Sequence, residues 1–259
     1  MDSKLEELDL SVNSFEGTLP SCLYNFTSLQ LLDIHENQFR VNISSLIARL
    51  TSLKLIDLRF NLFEGFSFGS LANHSGLEFV RCICNDKDVK IETESSDWVP
   101  LFQLDFLVIS NWNLNKLSNK VPTFLLHQHN FRVLDLSTNM LKGRLPSWLF
   151  ENNVKLEYVT LNDNSFSDHV HLPLCLNTYW MDMSNNQLIG KLQENIGEIL
   201  ANIFYLKLSN NSFTGSLPSS IGNMSLLGTF DVSLKQLLWT STKGITCRLL
   251  ETIILGIIQ

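Results

Sequence analysis

The sequence lacks an apolar run long enough to cross a bilayer. Its terminal apolar stretch, Ile253 to Ile258, covers six residues, where a helical span needs about 20, so no membrane span is expected. Cysteines are sparse and odd in number, at Cys22, Cys82, Cys84, Cys175 and Cys247, so no evenly paired disulfide framework emerges. The C-x-C of Cys82 and Cys84 has no second pair at zinc-finger spacing, and a Cys in a core position serves more simply as a small hydrophobe. Positive charge is short as well. A net charge of −7 leaves no basic footprint for nucleic acid and argues against a pectin-like polyanion. Nucleophile elbow, phosphate-binding loop and kinase signature are missing, so no enzyme, cofactor or catalytic metal is expected. The start, MDSKLEELDL, carries no basic and apolar leader of the secretory kind.

What is present is a repeat. Copies of one pattern start at Leu5, Leu29, Leu53, Leu77, Leu104, Phe131, Leu156, Thr178, Ile203 and Leu227, at intervals of 22 to 27 residues. Counted from these starts, positions one, four and six are large and apolar, position nine is Asn and position eleven is apolar again. Alternation over positions three to seven reads as a short strand with one buried face. A buried Asn can donate to and accept from backbone groups of a turn, so Asn13, Asn37, Asn61, Asn85, Asn139, Asn164, Asn186 and Asn211 are expected to form a structural ladder. Trp112 and Lys235 interrupt it, and the fifth and tenth coils should be irregular there. Self-similarity at this period means a solenoid. The expected fold is an α/β solenoid, a right-handed leucine-rich-repeat superhelix of about ten repeats with a parallel concave β-sheet. One elongated domain is expected over residues 1–233, followed by a non-repeat tail over 234–259.

Several copies continue with Gly at position thirteen and Pro at position sixteen: Gly17 with Pro20, Gly143 with Pro146, Gly215 with Pro218. Gly65 and Gly190 keep the first half. The segments NSFEGTLP (Asn13 to Pro20) and NSFTGSLP (Asn211 to Pro218) resemble the plant-specific leucine-rich repeat, which implies a second, smaller sheet beside the main one. The stretches Val121 to Leu149, Phe150 to Phe166 and Glu194 to Gly222 resemble the ectodomain of plant leucine-rich-repeat receptor-like proteins. The resemblance covers roughly residues 5 to 233. It implies a plasma-membrane receptor with its repeats outside the cell, lacking a kinase and signalling in defence or development through a co-receptor kinase. The family's leader, cysteine-paired cap and membrane anchor are not found in this sequence. Two readings of the tail stay open, a short helix from Leu249, Leu250, Ile253, Ile254 and Ile257 folded over the last coil, or a disordered end.

Strands lining the concave side would point positions three, five, seven, eight and ten at a ligand. Position three runs Glu7, Leu31, Leu55, Phe79, Phe106, Val133, Tyr158, Trp180, Tyr205, Thr229, an apolar and aromatic stripe with polar ends. Such stripes mark interaction sites, though the same residues also favour strand stacking. The candidate ligand-binding set is Phe79, Phe106, Tyr158, Trp180 and Tyr205 with Arg59, Phe60, Arg81, Asp182 and Lys207, suited to an extended peptide or a protein surface. The Asp column at position five, Asp9, Asp33, Asp57, Asp135, Asp182 and Asp231, repeats with the coil and is read as structural or solvating, not catalytic. The pairs His127 with His129 and His169 with His171 read as solvated loop residues without the further ligands zinc requires. Five glycosylation sequons stand at Asn25, Asn42, Asn73, Asn210 and Asn223; Asn25, Asn73 and Asn223 share position twenty-one, on the convex side. The combined expectation is a non-catalytic recognition module. The alternatives are a truncated soluble decoy or receptor remnant, and an extracellular enzyme inhibitor of the same repeat class.

Overall fold

The computed structural model describes residues 4–84, 91–94, 98–174 and 176–233, with the backbone of 237–238 and 253–254. Asn85, Cys175, Lys235 and Cys247, all singled out above, lie outside the described residues. The chain divides into two compact units, Met1–Phe131 with Thr138–Met140, and Arg132–Ser137 with Leu141–Gln259.

In the first unit the strands Glu7–Asp9 (β1), Leu31–Asp33 (β2), Leu55–Asp57 (β3), Phe79–Ile83 (β4) and Phe106–Ser110 (β5) pair in parallel, each with the next. Register is set by the repeat: Leu8 faces Leu32, Leu32 faces Ile56, Ile56 faces Val80 and Val80 faces Leu107. Because side chains alternate along a strand, this register stacks positions four and six of successive coils into one core. Leu32, Ile34, Ile56, Leu58, Val80, Cys82, Leu107 and Ile109 are all fully buried. Burial pushes the Cys82 thiol far above its ordinary pKa, so it behaves as the small hydrophobe its position suggests.

The second unit follows the same rule with Val133–Asp135 (β6), Tyr158–Thr160 (β7), Trp180–Asp182 (β8), Tyr205–Lys207 (β9) and Thr229–Asp231 (β10). The backbone of Ile253–Ile254 is extended and pairs in parallel with β10, where a short helix was one of the two expectations for the tail. A second sheet flanks the first. In this unit it has four parallel strands, Lys142–Arg144, Ser165–His169, Gln187–Gly190 and Ser212–Phe213, followed by a separate parallel pair, Gly215–Ser216 with Leu237–Leu238. In the first unit it is reduced to two pairs, Glu16–Gly17 with Gln38–Phe39 and Phe66–Ser67 with Ile91–Glu92. The position-thirteen glycines serve this sheet: Gly17, Gly143, Gly190 and Gly215 have φ of 78, 94, 88 and 88°, where a Cβ is unfavourable. Gly190 has a further reason, since a Cβ there would collide with the His169 ring of the preceding coil.

Among the described residues, six position-nine asparagines tie their coil to the one before it. Asn186 Nδ2 donates to Leu161 O of the preceding coil at 3.0 Å and to Met183 O and Ser184 O of its own, while its Oδ1 accepts from Phe166 N at 3.0 Å. Asn37, Asn164 and Asn211 repeat the set, Asn61 and Asn139 keep most of it, and Asn13 bonds within its own coil. In the fifth coil Trp112 takes the place with apolar bulk, 1% exposed, and its Nε1 is buried without a partner. The polar duty passes to Asn115, three residues on, whose Oδ1 accepts from Thr93 N at 2.9 Å.

Replacing Asn186 by Leu removes four hydrogen bonds. Leu161 O, Met183 O and Ser184 O each keep a second donor, from Asn164, Asn211 and the Asp163 N–H, so the group it abandons is the Phe166 amide. At 1 to 3 kcal/mol for one abandoned buried group, the expected loss is about 2 kcal/mol in a denaturant melt. A change under 0.5 kcal/mol, the usual size for a neutral surface substitution, would falsify the ladder's energetic role. His74 supplies a pH handle. It fills a place held by Phe26 and Met224 in other coils, is fully buried, bonds Leu71 O at 3.1 Å through Nδ1 and leaves Nε2 unpartnered. Desolvation lowers its pKa, so the unfolded chain takes up this proton first. Stability should be full above about pH 6.5, the unfolded value, and decline as pH falls below it. His74→Met should flatten that part of the stability profile.

Candidate recognition face

The polar residues of the strand face owe their geometry to two local devices. At position five each Asp caps the bend that follows. Asp9, Asp33, Asp57, Asp135, Asp182 and Asp231 accept through Oδ1 from the backbone N–H two residues on, at 2.8 to 3.2 Å. An Asp side chain forms such turns readily; the bonds lower the Asp9 pKa and commit these carboxylates to the turn. At position eight the backbone is left-handed: Val12, Glu36, Phe60, Asn111, Thr138, Asp163, Asn185 and Asn210 have φ between 52 and 59°. Non-glycine residues adopt this conformation at a cost, and it swings the position-eight side chain to the rim of the strand face.

In the first unit Phe79 and Phe106 stack at 6.0 Å between centroids, and the Arg81 guanidinium lies 4.5 Å above the Phe106 ring, a cation–π contact. Arg59 grips Asp57 with two near-parallel bonds, Nε to Oδ1 at 2.8 Å and Nη2 to Oδ2 at 2.8 Å, and Arg81 Nη1 stands 3.6 Å from the same carboxylate. Asp57, expected to face outward, is 1% exposed beneath the two arginines. Nearby, His35 Nδ1 meets Asp33 Oδ1 at 2.6 Å. Asp33, His35 and Asp57 form the single group of three metal-capable side chains among the described residues. Both Asp57 oxygens already face Arg59, so a guanidinium fills the cation's role. His35 was missed in the sequence; its signal is a His two residues after the turn-forming Asp.

In the second unit Trp180 and Tyr205 stack face to face, 3.7 Å between centroids and 3° from parallel. Below them Asp182 accepts from Ser184 Oγ at 2.6 Å, and Lys207 Nζ lies 4.0 Å from Asp231 Oδ2. Burial, aided by Asp182, raises the Tyr205 pKa, keeping its hydroxyl protonated. Tyr158 leaves the stripe: its ring tilts against Tyr179 at 6.0 Å, which stacks on Phe204 at 5.2 Å. That places Tyr158 on the edge of the sheet beside a second, lateral aromatic column. Along the rim Asp163 accepts from Asn162 at 2.6 Å and Asn185 at 2.7 Å, and Asn185 Oδ1 accepts from Asn210 Nδ2 at 2.7 Å. Asn210 is thus engaged, while Asn25, Asn42 and Asn73 are exposed and Asn223, also exposed, bonds Glu198 at 3.0 Å. His127, His129, His169 and His171 are exposed; His169 contacts Asp168, itself paired with Arg144 at 3.0 Å.

The family model described as Leucine Rich Repeat matches residues 4–26, 130–152 and 202–224. Receptor-like protein 14 of Arabidopsis thaliana is 46% identical over 230 residues, 88% of this chain and 23% of the relative. Receptor-like protein 15 of the same plant is 47% identical over 224 residues, 86% of this chain and 23% of the relative. Across these repeats the chain belongs to the plant leucine-rich-repeat receptor-like proteins. It spans about a quarter of the length of these family members, 23% in both cases. Among solved structures, a TDR receptor superposes with a TM-score of 0.70 at 20% identity, over 91% of this chain and 44% of that one. The Arabidopsis receptor kinase HAESA, solved with the peptide hormone IDA and the co-receptor SERK1, gives 0.63 at 22% identity, over 91% and 42%. At such identities these neighbours establish the leucine-rich-repeat solenoid fold. Among the described residues no helix is long and apolar enough to cross a membrane.

The Asp57 cluster gives a direct test. Asp57→Asn leaves two arginines without their buried counter-charge; breaking a buried pair costs roughly 3 to 5 kcal/mol, and with Arg59 and Arg81 24% and 36% exposed about 2 kcal/mol is expected after solvent screening. The measurement is urea unfolding, and a midpoint unchanged from wild type would show that solvent already carries the arginines.

Proposed function

We propose that these repeats are the ligand-recognition part of a plant cell-surface receptor-like protein. They bind a peptide or protein along the strand face outside the cell, without catalysis, and leave signalling in defence or development to a partner kinase. Family membership supports the setting. The observation that carries the binding reading is the Trp180–Tyr205 stack, a rigid aromatic pair with Asp182 and Lys207 at its base. Large aromatics held rigid lose little entropy on contact, which is why Trp and Tyr dominate binding energetics in protein interfaces. The half-buried Asp182 and Lys207 beside them suit backbone and side-chain groups of an extended chain. Arg59, Phe60, Arg81, Phe79 and Phe106 form the corresponding set in the first unit. Exposed Asn25, Asn42, Asn73 and Asn223 are the glycan acceptors in this reading. Asn210 is exposed as well, and its Nδ2, like that of Asn223, donates a hydrogen bond that a glycan would replace.

The test is a selection of displayed random peptides against the secreted chain, with Trp180→Ala and Tyr205→Ala as counter-targets. Peptides that bind the strand face should lose affinity by about 30-fold in either variant, the size of a hot-spot truncation near 2 kcal/mol. Binders unaffected by both changes would place recognition elsewhere, and circular dichroism of the variants separates lost binding from lost folding.

A further inference from the structure

We propose that an N-linked glycan on Asn73 does not project freely but lies back along a polar cleft on the flank of the first unit. The cleft is open, about 620 Å³, and is bordered by Asn73 itself together with Gln30, Thr51, Ser52, Lys54 and Ser75. That volume is in the range of small-molecule clefts, roughly 300 to 1,000 Å³, yet no aliphatic or aromatic residue borders this cleft. With Glu6 and Ser28 of the first coil, hydroxyl, amide, ammonium and carboxylate groups from three successive coils line it, the donor and acceptor set that the hydroxyls and acetamido group of a sugar match. Gly76, next in the chain after Ser75, also borders it. The acceptor is also held in place. His74, between Asn73 and Ser75 of the sequon, is fully buried, and its backbone N–H bonds Leu71 O at 3.0 Å.

A contrast inside the molecule supports the assignment. The cleft at the same strand edge in the second unit is lined by Tyr158, Tyr179 and Leu226 with Asn177 and Asn202; neither Asn belongs to a sequon, and the walls are aromatic. A polar cleft of this kind would hold a free sugar weakly, because each contact only replaces one made with water. A covalent tether changes that, since a short linker raises the effective concentration to the millimolar range. The glycan then covers the amino-terminal edges of β2 and β3 and leaves the strand face clear.

The inference rests on Asn73 being an acceptor, and the experiment separates that premise from the packing. The full chain is secreted from plant cells, its glycopeptides are measured by mass spectrometry, and the ¹³C-labelled glycan is examined for nuclear Overhauser contacts. The expected result is an occupied Asn73 whose first N-acetylglucosamine contacts the Thr51 methyl and the Lys54 side chain. Those contacts should be lost after Thr51→Val with Lys54→Ala, while occupancy persists. An unmodified Asn73 overturns the premise. An occupied Asn73 whose sugar shows no contact with Thr51 or Lys54 overturns the packing, and neither result bears on peptide binding by Trp180 and Tyr205.

Discussion

The amide of one asparagine per coil holds this architecture together. A solenoid must turn its backbone sharply after every strand, and a sharp turn in the interior leaves carbonyls and amides that water cannot reach. Asn186 answers for three carbonyls and one amide across two coils, so the turn of each coil is completed by the coil that follows it. The core, the strand register and the rim of the strand face all inherit their spacing from that linkage. Where it is replaced, by Trp112 in the fifth coil, the chain compensates with Asn115 rather than doing without. Apolar burial drives the stacking, but it is non-directional; the amide ladder is what sets one coil at a fixed pitch from the next.

Much of this was legible in the sequence because the signals are periodic and side-chain based. The apolar residues at positions four and six announce which face is buried, and their burial at Leu32, Ile56, Val159 and Leu206 follows the pattern residue for residue. The left-handed backbone at position eight was not legible. Val12, Phe60 and Thr138 have side chains that argue against that conformation, and they adopt it because the flanking strand and ladder Asn over-determine the turn. The role of the Asp column was half legible, as a structural repeat, but its particular bond to the amide two residues on was not. Asn115 escaped notice because it lies out of register with its peers.

On the candidate face, sequence order identified the column and not the direction of each ring. Tyr158 and Trp180 occupy equivalent places, yet Trp180 turns to Tyr205 and Tyr158 to Tyr179. The difference lies at position two, where Tyr179 and Phe204 build a column of their own and Gly228 leaves room for the Phe204 ring. Arg59 and Arg81 looked like free cations for a ligand. Asp57, drawn under both, takes up much of their charge, and Arg81 lies over the Phe106 ring, so the first unit presents a stacked Phe79–Phe106 pair capped by a partly neutralised guanidinium. A side chain's availability depends on neighbours one coil away, at separations of 22 to 27 residues, and a single repeat read alone does not contain that information.

The glycine of the flanking sheet carries an implication for how such chains change over time. Gly190 and Gly215 are required by their left-handed backbone, and the space this leaves is used by the coil before: the His169 ring lies across Gly190, and the stem of Lys191 comes to 3.1 Å from where a Gly215 Cβ would stand. The bulky partner and the vacancy that receives it therefore sit in different repeats. A swap of a single coil would separate the two members of such a pair. At His169–Gly190 and Lys191–Gly215 the unit of structural fit is therefore two coils, wider than the visible period.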